Sequence, residues 1–137
     1  MGGFNIRLHP YSQAYMFDAD PAADATFNIF RFPAQGKILA VYAVIDAAVA
    51  TATNTLAISL VSRGTTGTET ASTIAAFAAN ATWAADVPRT GSLTAANQRI
   101  TTSGTWLAVV YDETGSGTWA RMGFQFDYIV GAYEDSA

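Results

Sequence analysis

Cysteine is absent from this 137-residue chain, and histidine and lysine occur once each, as His9 and Lys37. Each shortage removes a class of chemistry. Without thiols there is no disulfide framework, no thiolate metal site and no cysteine nucleophile. One imidazole cannot build a histidine-rich metal centre, and a serine nucleophile would need His9 as its base, which sits beside Pro10 in an irregular N-terminal stretch. Charge of either sign is scarce: Asp, Glu, Lys and Arg make up 13% of the residues, about half of the roughly 25% of an ordinary globular domain. Seven cations against eleven carboxylates leave a net charge of −4. No stretch clusters Arg or Lys, so the electrostatic footprint of a nucleic-acid binder is missing. Long apolar runs are missing too. The most apolar stretch, residues 38–45, is far shorter than the ~20 residues a membrane span needs. The opening MGGFNIR lacks the basic-then-apolar layout of a secretory signal. The expectation is a protein that binds neither nucleic acid nor membrane and needs no cofactor.

What is present fits one domain. No polar linker divides the chain, and a domain of this size buries roughly 68 to 70% of the surface its unfolded form exposes, enough for a core without disulfide or metal. Half of the residues are apolar. Thr, Ser, Asn and Ala fill positions where a typical enzyme surface carries Lys and Glu, and a weakly charged exterior is poorly protected against association. Self-assembly or binding to another protein is therefore expected.

The periodicity is that of strands. Between residues 120 and 130, Ala120, Met122, Phe124, Phe126, Tyr128 and Val130 alternate with Arg121, Gly123, Gln125, Asp127 and Ile129, which predicts a strand with one face on a core. Residues 105–111 (TWLAVVY) precede it across the turn-forming DETGSG, and the two read as an antiparallel hairpin. Residues 26–32 (TFNIFRF) end at Pro33, and residues 37–45 (KILAVYAVI) are apolar on both faces, as in a strand buried from both sides. Residues 55–62 (TLAISLVS) put Leu56, Ile58 and Leu60 on one face before the loop RGTTGT. Weaker strands are expected within 4–8, 71–83 and 93–100. In 71–85 the spacing of Ile74, Phe77, Ala78 and Ala81 also suits a short helix, although the Thr-rich context favours strand. Residues 1–25, with Pro10, Pro21 and Asp18-Ala19-Asp20, read as an extended arm, and 26–137 as the folded domain. Short strands at hairpin spacing with little helix predict an all-β fold, an antiparallel β-sandwich or jelly roll.

The search for chemistry returns little. Asp18, Asp20 and Asp24 lack the glycine turn and bidentate Glu of a calcium loop. Asp112 with Glu113, and Glu134 with Asp135, are neighbours along the chain, whereas a glycosidase pair must face across a cleft. Gly64-Thr65-Thr66-Gly67 and Gly115-Ser116-Gly117 lack the lysine and helix of a phosphate loop and read as turns. Asn80-Ala81-Thr82 fits a glycosylation sequon but lacks the secretory context that would give it meaning. The expectation is that the chain is not an enzyme. The aromatics, 12% of the residues, offer recognition instead. Trp119 and Arg121 fall on the face of the last strand opposite its apolar set, a composition found in interface hot spots and in sugar-stacking platforms. The alternative is that Trp83, Trp106 and Trp119 all serve as core or sheet-edge filler. Phe4, Tyr11, Tyr15, Met16 and Phe17 in the arm also need a surface to lie against. Candidate partner-binding residues are thus Phe4, Tyr11, Tyr15, Phe17, Trp119 and Arg121.

The stretch GTWLAVVYDETGSGT at 104–118 resembles the strand, glycine-rich turn and strand of small virion proteins of tailed phages, notably capsid decoration or cement proteins. The resemblance covers about the last third of the chain and contains no diagnostic motif, so it transfers no binding residue. It implies a jelly-roll-like sandwich made in the host cytoplasm and forming homotrimers on the capsid surface, with an extended segment gripping the major capsid protein. Two rival readings remain open. A carbohydrate-binding sandwich would expose Trp106 or Trp119 in a groove, and a hydrolase would bring carboxylates such as Asp112 or Asp127 together in a pocket.

Overall fold

A computed structural model describes residues 10–18, 24–47, 55–77, 83–114 and 121–131. Two antiparallel sheets face each other. The first contains β1 (Tyr11–Phe17), β3 (Gly36–Ile45) and β10 (Met122–Val130), extended by the two-residue strands β6 (Arg89–Thr90) and β8 (Arg99–Ile100). The second contains β2 (Ala25–Arg31), β4 (Thr55–Ser62), β5 (Ser72–Phe77), β7 (Ser92–Leu93) and β9 (Trp106–Thr114). Their orders are β1-β10-β3-β6, with β8 also on β3, and β2-β9-β4-β5-β7. If β6 to β8 count as one interrupted strand, the first strand pairs with the last, the second with the next to last, and successive strands alternate between sheets except at β4 and β5, which pair with each other in the second. That winding is a jelly roll.

The alternation in the sequence explains why the two sheets stick. Met122, Phe124, Phe126 and Tyr128 of β10 and Ile38, Val41, Ala43 and Ile45 of β3 point inward from the first sheet; Leu56, Ile58 and Leu60 of β4 and Leu107, Val109 and Tyr111 of β9 answer from the second. Aromatic rings bridge the layers: Phe30 meets Phe126 edge to face at 5.5 Å and Phe77 meets Phe124 at 6.5 Å. Trp83 is fully buried, and its indole N–H donates to the Leu56 carbonyl at 3.0 Å, so burying the ring strands no donor. The Arg89 guanidinium lies 4.4 Å from the centre of that ring.

The five strands expected from periodicity are present, but β9 and β10 do not form the expected hairpin: β9 pairs with β2 and β4 in the second sheet, β10 with β1 and β3 in the first, so the chain crosses between sheets after Thr114. Within the stretch at 71–83, Ser72–Phe77 form strand β5, and residues 78–82 lie outside the described residues. The stretch at 93–100 is broken into β7, a 3-10 turn at Ala95–Asn97 and β8. The stretch at 4–8 lies outside the described residues. Strand β3 differs from the expected strand buried on both sides. Its register against β10 steps from Asp127↔Ala40 to Tyr128↔Ile38, so Leu39 bulges out and is 37% exposed, while Tyr42 and Val44 are only half-buried. One face of β3 is core. The other is an apolar surface left partly open.

Residues 10–18 of the expected arm are extended, but they lie on their own domain. β1 pairs with β10 in unbroken register from Tyr11↔Tyr128 to Phe17↔Met122. Pro10 stands just ahead of the strand, where a missing N–H costs the ladder nothing.

A candidate interaction surface

The outer face of the first sheet is built from the residues that alternate with its core set: Ser12, Ala14 and Met16 of β1, Gly123, Gln125 and Asp127 of β10, and Tyr42 and Val44 of β3. Most are small or apolar. Met16 is 62% exposed. An open groove of about 570 Å³ runs across this face, lined by Ala14, Met16, Tyr42, Val44, Pro88 and Gly123 among others. Glycine 123 makes its floor low: a Cβ there would stand 3.1 Å from Val44 Cγ1 and 3.9 Å from Met16 Cε. A glycine inside a strand weakens the strand, and it suits a place where another chain comes close. Contiguous exposed apolar surface is one mark of a docking surface.

Polar groups fix one end of the face. The Ser12 hydroxyl donates to Asp127 Oδ1 at 2.6 Å and the Gln125 amide donates to the same oxygen at 3.0 Å. At the other end Asp46, Asp86 and Arg121 border the groove beside Met16 and Gly123.

The sequence-derived candidates fall in different places. Tyr11, Tyr15 and Phe17 belong to one inward-pointing row of β1. Tyr11 stacks on Tyr128 at 5.6 Å, Tyr15 on Phe126 at 6.3 Å, and Phe17 reaches Phe27 of β2 at 5.3 Å, closing the side of the sandwich. Tyr11 remains 53% exposed, so of the three it offers the most surface. Burial raises the Tyr15 hydroxyl above its ordinary pKa of 10.0, with Tyr128 adding to the rise and a hydrogen bond with Gln13 opposing it. Burial raises Tyr128 likewise, and Tyr11 adds to it. Arg121 is exposed at the groove's border. Phe4, Trp119 and His9 lie outside the described residues.

Residues that periodicity did not single out carry the groove: Met16, Tyr42, Val44, Gly123 and Pro88. Two signals were available. Gly123 interrupts an otherwise bulky strand, and Tyr11, Tyr15 and Phe17 share parity, which leaves Ala14 and Met16 on the opposite face.

The remaining chemistry stays dispersed. Asp112 lies on the outer face of the second sheet and Asp127 on the outer face of the first, so the two carboxylates point away from each other across the whole sandwich. Asp112 is instead close to Asp24. The negative charge of Asp24 raises the Asp112 pKa above 3.8, and slight burial and their mutual hydrogen bond act in the same direction. Asp24 also accepts a hydrogen bond from the Glu113 backbone N–H at 3.0 Å. Among the described residues no group of three or more His, Asp or Glu side chains could hold a metal ion, and no helix is long and apolar enough to cross a membrane. Trp106 is half-buried under the loop after β4: Gly67, at φ +73°, would bring a Cβ to 3.3 Å from the indole, and the Asn28 amide donates to the Gly67 carbonyl at 3.1 Å. Only glycine adopts that backbone without strain.

No protein-family model and no curated protein matches the chain. Among solved structures, a chain of the cyanophage Pam1 capsid asymmetric unit is similar, with a TM-score of 0.51 and 16% identity over 96% of this chain and 90% of that one. Chains of infectious bursal disease virus, strains Gt and Gx, give TM-scores of 0.38 and 0.40 at 12% and 16% identity. They cover 91% and 93% of this chain but 33% and 34% of their own. At this identity the first likeness is one of fold.

Proposed function

We propose that this protein is a non-enzymatic structural component of a virus particle, an oligomeric decoration or cement protein bound to the surface of a phage head. The observation that carries the reading is the open apolar face of the first sheet on a weakly charged jelly roll whose ionisable groups are scattered. Such a face costs solubility unless a partner covers it. The whole-length likeness in fold to a chain of a phage capsid supports the same reading.

In this role the protein, made in the host cytoplasm, assembles as a homotrimer and docks on the major capsid protein. It acts by burying apolar area across capsomer boundaries and so resists outward pressure without any bond being made or broken. Because β1 is committed to its own sheet, it is not the extended segment that grips the capsid protein in this role. The half-buried position of Trp106 beneath Gly67 leaves a sugar-stacking reading without support in the described residues.

The test is cosedimentation of the purified protein with expanded and with immature capsids, alongside its mass by light scattering. A trimer that pellets with expanded capsids alone is the expected result. A strict monomer left in the supernatant by both would overturn the proposal.

A further inference from the structure

Among the described residues strand β1 ends the first sheet, so half of its backbone N–H and C=O groups point away from β10 toward a side on which no described strand pairs. Natural edge strands are blunted by charge, proline, bulges or shortness. β1 has none of these protections. It is seven residues long, reads YSQAYMF, and runs against β10 without a register shift. The edge of the other sheet on the same side, β2, is protected twice: its register against β9 slips between Asn28 and Phe30, and it ends on Arg31. Among the described residues one edge is defended and the other is not.

We propose that β1 is a self-association site, at which two copies of this chain join their first sheets by antiparallel β1–β1 pairing across a two-fold axis through Ala14. Three observations favour a second copy over an unrelated strand. Directly opposed residues of a sheet share a face, so pairing must set inward positions against inward ones, and the dyad therefore falls on a residue, not between two. Of those registers, only the one centred on Ala14 pairs all seven residues. It sets Tyr11 against Phe17, Ser12 against Met16 and Gln13 against Tyr15, and it places the strand's smallest side chain on the axis, where two identical side chains meet. Finally, a charged residue in a two-fold strand pair is brought close to its own copy, and β1 contains no charge to repel itself. A heterologous strand would more commonly be selected by complementary charge, for which β1 offers nothing.

The joined sheet would set the two apolar grooves side by side, with Met16 of each copy beside Ser12 of the other. The inference goes beyond the capsid reading and does not depend on it: in the homotrimer of that reading, the two-fold joint would link one trimer to another.

The absence of native cysteine makes the test clean. Ala14→Cys introduces one exposed thiol, and across the dyad the two Cα atoms would be about 4.5 to 5.5 Å apart, within disulfide reach. In Ser12→Cys the two thiols would be offset by four residues, about 13 Å, and out of reach. Under mild oxidation, on a non-reducing denaturing gel, Ala14→Cys is expected to form covalent dimer about tenfold faster than Ser12→Cys or the loop control Thr68→Cys. Equal rates in the three variants would overturn the pairing. As a second readout, Ala14→Lys puts a charge against its own copy and is expected to lower the average mass at high concentration relative to the parent protein, with circular dichroism unchanged. An unchanged mass would also count against it. Both readouts are independent of capsids, so failure here and failure of the decoration role are distinguishable.

Discussion

The two outer faces of the sandwich treat their apolar residues differently. On the second sheet, Trp106 is covered by the protein's own loop, which Gly67 and Asn28 hold down. On the first sheet, Met16, Tyr42 and Val44 surround a groove that nothing among the described residues fills. The domain covers one indole on the second sheet with a loop and leaves the apolar groove of the first sheet open among the described residues, and that difference is what the proposed docking role rests on.

That contrast can be broken most severely at Gly67. Replacing it with Ala forces a side chain onto a backbone with φ +73° and brings Cβ to 2.8 Å from the Asn28 amide nitrogen, an expected loss of about 1 to 3 kcal/mol. Urea unfolding would measure it, and tryptophan emission should shift to the red as Trp106 is uncovered. On the open face the expected pattern reverses. Met16→Ser should change stability by no more than about 0.5 kcal/mol, since exposed positions away from special contacts rarely do more. It should nonetheless reduce binding of an apolar fluorescent dye and weaken capsid cosedimentation. Gly123→Ala should likewise fill the floor of the groove and reduce dye binding at a small stability cost, provided Val44 gives way by a few tenths of an ångström. If either variant bound dye as well as the parent, the groove would not be the contact surface.

The smallest effect is expected from the acidic pair on the second sheet. Asp24 raises the Asp112 pKa, so the folded protein holds a proton more tightly than the unfolded one and stability falls as pH rises above 3.8. Asp112→Asn should therefore raise the melting temperature slightly at neutral pH, with the gain vanishing as pH is lowered toward 3.8. The raised pKa values of Tyr15 and Tyr128 predict a separate alkaline loss. Stability should be intact below 10.0 and decline above it, where the unfolded chain ionises first. Tyr15→Phe should shrink that decline in a pH series of melting curves.

Much of the architecture was legible in the chain itself, because strict alternation in β10 and in β4 leaves only one way to bury Phe124, Phe126, Leu56 and Ile58. The strand at Tyr11–Phe17 was obscured by flanking features: Pro10 and the Asp-rich stretch after Phe17 give the local composition of an arm, although the inward row of Tyr11, Gln13, Tyr15 and Phe17 has the right period. The open face of β3 was illegible for a different reason. A continuous apolar run does not show which side will be covered, and the bulge at Leu39 that changes the phase depends on β10, more than eighty residues away in the chain. The groove inherits that difficulty, since Met16, Val44 and Gly123 come from three strands brought together only by pairing.

The place of β10 between β1 and β3 also governs when the molecule can fold. Tyr11 finds its partner at Tyr128, so during synthesis the first strand waits for more than a hundred residues before its neighbour leaves the ribosome, and loop closure over such a distance is slow. The first sheet is therefore completed last, after translation has passed residue 130.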